Sequence, residues 1–422
     1  MKINSCCLCS SSDLYVLPNL FNSGLANNLE ALPMAESHHD LYPLGLTICN
    51  NCDHVQLSEF IDPKILFDNY KYKSSISNFF RKHFCNLAEI LNSEFEDSKP
   101  NKKVLDVGSN DGYLLDCFKK LNWETFGVEP AKNLAIETEA NHKIFNCFFN
   151  SKFLTLNSNV KYDLITANNV FAHTRDIGEF AQTVSQILNN NGLFVFEVQY
   201  LPDLVNSCLF DMIYHEHTSY HHLAPLVKIL PSYGLHVCNV EQISSHGGSI
   251  RVYCKKIPLN NNPKISQSVI SLLESESKYA GDKLKQTILN FYSNISTSLA
   301  AASQFLVKLY NNDFTIVGYT APAKATTLLS GLTNQATSCL DYIIDDSTLK
   351  SNQFIPGTNI KILTLADYKT FQMPADLSIK KYAVIIFAWN IAESLVVNLL
   401  EADIFPKETV FYKLLPEPLL LK

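Results

Sequence analysis

At 422 residues the chain is long for one domain, and two or three are expected. Hydrophobic residues make up 46%, ordinary for a globular protein, and a formal net charge of −7 argues against nucleic acid or an anionic membrane as main partner. The opening Met1-Lys2-Ile3-Asn4-Ser5-Cys6 lacks a signal-peptide core and no apolar run could span a bilayer, so a cytoplasmic protein is expected.

Of the 12 cysteines, Cys85, Cys117, Cys147, Cys208, Cys238, Cys254 and Cys339 stand singly in apolar surroundings and read as reduced core residues. Near the N-terminus, Cys6-Cys7-Leu8-Cys9 and Cys49-Asn50-Asn51-Cys52 form two knuckles. Two such pairs bring four thiolates together, the geometry of a structural zinc site, with Cys6, Cys9, Cys49 and Cys52 as ligands and Cys7 as a bystander. A closed set of four ligands leaves no position for chemistry. His38 and His39, between the knuckles, read as exposed loop residues. Asp53 to Leu57 alternates like a strand. Tyr70 to Ser75 is either plain surface or a segment closing over an active site, and residues 76–98 read as an amphipathic helix.

Strands then alternate with helices: Lys103–Val107, Thr125–Glu129, Lys143–Phe148, Tyr162–Ala167, Leu193–Val198, Leu235–Val240 and Ser249–Lys255. That order predicts an α/β fold with a doubly wound, largely parallel sheet, whose ligands bind beyond the carboxyl ends of the strands. The first strand ends in Val104-Leu105-Asp106-Val107-Gly108-Ser109-Asn110-Asp111-Gly112, a small-residue turn opening a helix at Tyr113. Glycines there allow close approach of backbone to ligand, and the helix start offers free N–H groups. The second strand ends in Glu129, placed to take both hydroxyls of a ribose. The glycine spacing is not that of a pyrophosphate cradle. The turn reads as a site for a nucleoside without phosphates, and S-adenosylmethionine fits best. Gly108, Asn110, Gly112, Glu129, Phe148 and Asn168 are the cofactor candidates, with Phe148 or Phe149 either stacking on adenine or sitting in the core. After the fourth strand, His173 either touches substrate or is a structural histidine. Asn189 to Gly192 reads as a turn.

The densest polar run is Phe210 to His222, containing Tyr214-His215-Glu216-His217. Its histidines lack the spacing of a helical two-His zinc site. A general base fits better: an imidazole titrating near neutrality, oriented by a carboxylate such as Glu216, with Tyr214 donating to a developing oxyanion. The alternative is a self-satisfied polar loop. His246-Gly247-Gly248-Ser249-Ile250-Arg251 is either a phosphate or carboxylate site or a plain hairpin turn. Residues 258–264 read as a linker, and 265–311 as a long helix broken near Ser293 to Ser298. A second α/β unit follows. Its first strand, Phe314 to Tyr319, leads into Thr320-Ala321-Pro322-Ala323-Lys324, a helix start able to hold a phosphate. Further strands end at Asp345-Asp346 and Trp389-Asn390.

Over nearly its whole length the chain resembles the sugar C-methyltransferases that act on nucleotide-linked 4-keto-deoxysugars. The cysteine knuckles, Val104–Gly112, Asn168–His173, Tyr214–His217, His246–Tyr253, Gly318–Leu329, Asp345-Asp346, Pro356-Gly357-Thr358 and Ala388-Trp389-Asn390 carry the resemblance. It implies a zinc-binding domain (1–75), a class I methyltransferase-like Rossmann core (76–258) and a C-terminal Rossmann-like domain (259–422) that helps hold the nucleotide sugar. It further implies His217 as base, Tyr214 and Glu216 beside it, Tyr72 reaching in, and His173, His246, Ser249, Arg251, Tyr319, Ala321 and Lys324 toward substrate. S-adenosylmethionine and structural zinc are the expected cofactors. The expected state is a monomer or weak homodimer, without nucleic acid or membrane. Thr320 departs from a glycine usual after Tyr319, and Ala325-Thr326 from Gly-Asn. Two other functions compete: an O- or N-methyltransferase of a small metabolite, and a non-catalytic zinc-knuckle scaffold.

Overall fold

A computed structural model describes residues 2–67, 73–76, 78–95, 101–157, 159–257, 264–371 and 381–422. The N-terminal part carries β1 (Leu14–Val16), β2 (Phe21–Ser23), β3 (Tyr42–Leu44), β4 (Leu46–Cys49) and β5 (Val55–Leu57). β1, β4 and β5 pair antiparallel, and β2 pairs with β3. Helix α1 (Pro63–Phe67) follows, then α2 (Asn78–Ser93), shorter at both ends than expected. α2 buries Phe84, Leu87, Ala88 and Leu91, the i, i+3, i+4, i+7 stripe of a helix with one face in a core.

The central sheet contains β6 (Lys103–Val107), β7 (Glu124–Val128), β8 (Lys143–Phe145), β9 (Tyr162–Asn168) and β10 (Leu188–Gln199), all parallel. Helices α3 (Tyr113–Lys120), α4 (Lys132–Thr138), α5 (Ser151–Leu156) and α6 (Ile177–Ile187) connect them. The stretch Asn189–Gly192, expected as a turn, is a register irregularity inside β10. After α7 (Leu201–Asn206), β11 (Ser219–Tyr220) leaves this sheet and pairs with β5. Past α8 (Leu223–Ile229), β12 (Leu235–Ile243) and β13 (Ser249–Lys256) close the sheet, with β13 antiparallel between β10 and β12. Its strand order is β12-β13-β10-β9-β6-β7-β8. Chain order reverses between β6 and β9, the place where such sheets open a ligand crevice.

The expected break in the long helix lies elsewhere. α9 (Gln267–Ser275) and α10 (Gly281–Asn311) are separated at Glu276–Lys278, while Ser293 to Ser298 stays helical. The buried Glu276 carboxylate accepts from Tyr200 Oη and from the free N–H groups of Leu223 and Ala224 at the start of α8, which fixes the chain there. The Ser296 and Thr297 hydroxyls bond back to carbonyls four residues earlier, so they do not compete with the helix.

A second, mostly parallel sheet contains β14 (Phe314–Tyr319), β15 (Leu340–Ile344), β16 (Lys361–Leu363), β17 (Lys381–Ile386), β18 (Val410–Lys413) and β19 (Leu419–Leu420), in the order β16-β15-β14-β17-β18-β19. Helices α11 (Ala323–Gly331), α12 (Asn334–Thr337), α13 (Leu365–Phe371) and α14 (Ala392–Glu401) lie between its strands. One apolar core joins Leu46 and Val55, Phe210 and Tyr220, Phe291 of α10, and Ile316 of β14. Another joins Cys6, Leu8 and Cys49 to Phe171 and Phe180 of the central sheet's layers. The short N-terminal strands thus bury their apolar faces against the rest of the chain. Among the described residues no helix is long and apolar enough to cross a membrane.

Candidate active site

The carboxyl ends of β6, β7, β9, β10, β14, β15 and β17 open onto one cavity of about 1750 Å³, closed on a further side by N-terminal residues. A single drug-sized ligand occupies about 300–1,000 Å³, so this space accommodates two ligands side by side.

The turn after β6 forms the first wall. Gly108 and Gly112 have φ of 68° and 77°. A Cβ at Gly108 would stand 2.4 Å from Val170 Cγ2, and one at Gly112 2.5 Å from Thr138 Cγ2. Both glycines are therefore required by backbone conformation and by neighbouring side chains. Gly108 lines the cavity, but Gly112 is not among its lining residues and packs on α4 instead. Glu129, first residue beyond β7, accepts from the N–H of Asn110 and of Ala131, both at 2.8 Å. Burial raises its pKa, against the lowering effect of those two N–H groups. Asn110 Oδ1 accepts from Ser74 N, and Asp111 from Ser74 Oγ and Ser75 N, so the segment before α2 clasps the turn. Phe148 lines the cavity; Phe149 lines it too, but its ring packs at a tilt against Phe180, centroids 4.6 Å apart. Asn168 and Ser109 line it with Asn168 Oδ1 and Nδ2 and Ser109 Oγ buried and, among the described residues, without hydrogen-bond partners. Such orphaned groups are rare in a folded protein, and a polar nucleoside at this wall would satisfy them. The residues present thus fit S-adenosylmethionine.

Tyr214, His217, His173 and His246 line the opposite part. The His217 ring is 4.0 Å from that of Tyr214 and 4.9 Å from that of His173, centroid to centroid. Its Nδ1 lies 2.8 Å from the Met212 carbonyl. A carbonyl only accepts, so Nδ1 carries the hydrogen and Nε2 the lone pair. Burial lowers the His217 pKa to about 4, opposed by that carbonyl bond, so the ring is neutral at pH 7. The orienting group is Met212, where a carboxylate was expected. Glu216 turns away to accept from Asn27 Nδ2 at 2.6 Å and is absent from the cavity wall; burial, countered by Asn27, brings its pKa to about 7. His215 is tied to the Pro43 carbonyl.

Three substrate candidates fall outside the cavity. Ser249 Oγ donates to the Ser245 carbonyl. Arg251 is held in an ion pair with Glu197 at 2.7 Å and another with Glu241 at 2.9 Å, because β13 lies inside the sheet and not at its edge. Tyr319 Oη donates to Asp346. Ala321 and Lys324 do line the cavity. Thr320 takes a φ of 63°, the left-handed conformation that favours the glycine expected there. Tyr72 lies outside the described residues. His39, expected to be exposed, is buried between the Leu32 carbonyl and the Gly357 N–H, whereas His38 is exposed.

Several lining residues are ones to which the sequence assigned no site role. Asp106 was readable in the glycine-turn motif; it accepts from Thr166 Oγ1, and burial raises its pKa to about 7. Asn27, Asp345, Lys350 and Asn390 also line the wall. Asp345 directly follows β15 and Asn390 lies in the turn after β17, both positions readable from the strand pattern, but nothing local marks Asn27.

The sulfurs of Cys6, Cys9, Cys49 and Cys52 all lie within 4.8 Å of one another, with Cys6–Cys52 at 3.7 Å and Cys9–Cys49 at 3.6 Å. Zinc–sulfur bonds of about 2.3 Å in a tetrahedron place sulfurs about 3.8 Å apart, so the four thiolates fit a structural zinc ion. Cys7 stays outside the cluster and donates its N–H to Gln56.

Three family models match the chain: a zinc binding domain over residues 6–67, a methyltransferase domain over 79–240, and a C-methyltransferase C-terminal domain over 244–413. The C-methyltransferase NovU of Streptomyces niveus is 28% identical over 425 residues, covering 99% of this chain and 96% of NovU. Among solved structures, the magnesium protoporphyrin IX methyltransferase of Synechocystis with bound S-adenosylmethionine is 12% identical, covering 42% of this chain and 79% of its own, with a TM-score of 0.32. An S-adenosylmethionine-dependent methyltransferase of Clostridium acetobutylicum is 14% identical, covering 43% and 93%, with a TM-score of 0.35.

Proposed function

Because the chain belongs to the S-adenosylmethionine-dependent C-methyltransferases, we propose that it methylates the carbon next to the ketone, C3, of a nucleotide-linked 4-keto-deoxysugar. The observation that carries this is His217: a buried, neutral imidazole with its Nδ1 hydrogen engaged by Met212 and its Nε2 lone pair available, on the wall of a cavity built for two ligands.

Residues 1–75 hold the zinc, 76–258 the methyl donor, and 259–422 help hold the nucleotide. S-adenosylmethionine, gripped by the turn at Gly108 and Asn110, by Glu129 and by Asn168, supplies an electrophilic methyl group. His217 Nε2 removes the proton next to the ketone, whose acidity comes from spreading the resulting charge onto oxygen. Tyr214 donates a hydrogen bond to that oxygen. His173 and His246 position the sugar, and burial keeps both rings neutral. Holding the reacting carbon in place converts an encounter into an intramolecular step.

The test is incubation with labelled S-adenosylmethionine and a panel of dTDP-, CDP- and GDP-4-keto-deoxysugars. We expect labelled product from one of them, and exchange of the C3 proton with deuterated water when the methyl donor is withheld. An O- or N-methyltransferase shows no such exchange. His217→Ala should abolish turnover and exchange while leaving the S-adenosylmethionine Kd, measured by calorimetry, within about twofold, a difference of about 0.4 kcal/mol. A variant that keeps the wild-type rate removes His217 from the role of base.

A further inference from the structure

Lys324 lies in the first turn of α11, just beyond the loop that leaves β14. Its residue is only 8% exposed, yet it lines the cavity. The ammonium donates to Asn390 Oδ1 at 2.5 Å and lies 3.9 Å from the centre of the Trp389 ring. Trp389 is itself fixed: its Nε1–H donates to Asp211 Oδ2 at 2.6 Å, and a Cβ on Gly247 would come within 2.6 Å of its ring. Among the described residues no carboxylate stands within ion-pair distance, 4.0 Å, of the ammonium. A desolvated cation with three donors, one answered by a neutral amide and its face by an aromatic ring, has the Asp211 carboxylate to oppose its burial only from beyond contact distance, so among the described residues an anion in direct contact is missing.

The position of that missing anion follows from two neighbours in sequence. Asp211 holds Trp389, and through it the cation; Met212, next along the same turn, holds the His217 imidazole. His246, next to the Gly247 that abuts the Trp389 ring, lines the cavity with His217 and Lys324, so all three border one corner of it. The cation is therefore anchored to the same turn as the base.

We propose that Lys324 is a further catalytic residue, whose ammonium binds the substrate oxygen that becomes negative when His217 removes the neighbouring proton. This rests on the enolate reading above. The C–H bond breaks toward His217 Nε2, and its electron pair moves into a carbon–carbon double bond as the carbonyl pair moves onto oxygen. Lys324 donates a hydrogen bond to that oxygen and keeps its own proton. When the carbon takes the methyl group, the donor's sulfur–methyl bond breaks with its electron pair left on sulfur, giving S-adenosylhomocysteine, the carbonyl re-forms, and His217 returns its proton to solvent. Tyr214 and Lys324 then act as a pair of donors, one neutral and one charged.

The decisive measurement is C3 proton exchange in deuterated water at saturating nucleotide sugar, without a methyl donor. Lys324→Met should slow exchange and kcat by about 100-fold or more, as loss of an oxyanion donor does, with KM changed only a few-fold. The S-adenosylmethionine Kd and thermal midpoint report whether the variant is folded. Lys324→Arg, which keeps the charge, should recover much of the exchange. The pH profile gives an independent readout. Burial lowers the Lys324 pKa to about 8, opposed by Asp211, while His246 faces it from the β12–β13 turn and the uncharged Asn390 and Trp389 from the end of β17. Wild-type kcat/KM should fall above pH about 8 as the ammonium loses its proton, and Lys324→Arg should remove that decline, since a guanidinium stays charged. A Lys324→Met enzyme with raised KM but wild-type exchange at saturation overturns the proposal and makes Lys324 a phosphate anchor. A decline unchanged in Lys324→Arg overturns it as well. If wild-type protein exchanges no 4-keto nucleotide sugar in the panel, the enolate reading itself fails, and this inference with it.

Discussion

The side chains around the cavity are divided by what already satisfies them. Glu129 is the clearest case at the cofactor wall. Its two oxygens take the N–H groups of Asn110 and Ala131, which fix its direction while leaving lone pairs for a ligand. Hydrogen bonds to a charged group contribute about 1.5–3 kcal/mol, so Glu129→Gln should raise the S-adenosylmethionine Kd by about 10- to 100-fold in calorimetry. An unchanged Kd would mean that the carboxylate serves only the turn. Thr320 shows a different relation between residue and backbone. It adopts the left-handed φ without being glycine, while its Oγ1 accepts from Ala388 N and so joins the ends of β14 and β17.

At the scale of elements, α2 forms one wall of the cavity through Phe79, Phe80 and Phe84, and the Phe80 ring packs at a tilt against His246, centroids 5.1 Å apart. What fixes the helix to the sheet is His83, whose Nε2 lies 2.7 Å from Glu197 Oε2 at the end of β10. The other Glu197 oxygen takes Arg251 Nε at 2.7 Å. Burial acts to raise the Glu197 pKa, but His83 and Arg251 outweigh it and hold it below the usual value. Removing one partner of a buried pair strands a charge. Arg251→Met should therefore destabilise the fold by about 3 kcal/mol, read from the denaturant midpoint, though Arg251 touches no ligand wall. A loss under about 1 kcal/mol would show that His83 alone satisfies Glu197.

At the scale of the whole molecule, the thiolate cluster and the buried histidines make stability depend on metal and on acidity. Cys6 and Cys49 share a core with Phe171 and Phe180, and Cys6 and Cys7 line the cavity, so the zinc site braces the active site. One zinc per chain is expected by elemental analysis, and a chelator or Cys49→Ser should lower both the thermal midpoint and S-adenosylmethionine affinity. A metal-free protein with an unchanged midpoint would refute this. The pH dependence has a definite sign. Burial lowers the pKa of His54, His215 and His217 to about 4 and of His222 to about 3, and of His221 well below normal. Below pH 6.5 the unfolded chain takes up protons at these five positions and the folded one does not, which costs about 1.4 kcal/mol per group for each pH unit. Asp106, Asp211 and Glu216 act the other way: burial raises them to about 7, 6 and 7, so the folded state binds protons first as pH falls. Burial also lowers His142, His173, His236 and His246 and raises Glu129, Asp203 and Glu276, so nine histidines outweigh six carboxyls and the thermal midpoint should fall between pH 6.5 and 4.5. A midpoint rising over that range would contradict it.

Local chemistry carried much of this architecture in the sequence itself. The alternating strands and helices, the Gly108 turn with an acid one strand later, and the paired cysteines are each determined within a few residues, because backbone conformation, strand period and knuckle geometry are short-range properties. Which side chain faces the cavity was decided only by tertiary packing. Glu216 and His217 are adjacent in sequence, yet one binds Asn27 and the other lines the cavity with its ring held by Met212. Arg251 resembled an anion site until β13 proved to lie inside the sheet, beside Glu197. A buried charge must meet its partner wherever in the chain that partner lies, and those distances, 54 positions from Arg251 to Glu197 and 178 from Asp211 to Trp389, are beyond what any local pattern encodes.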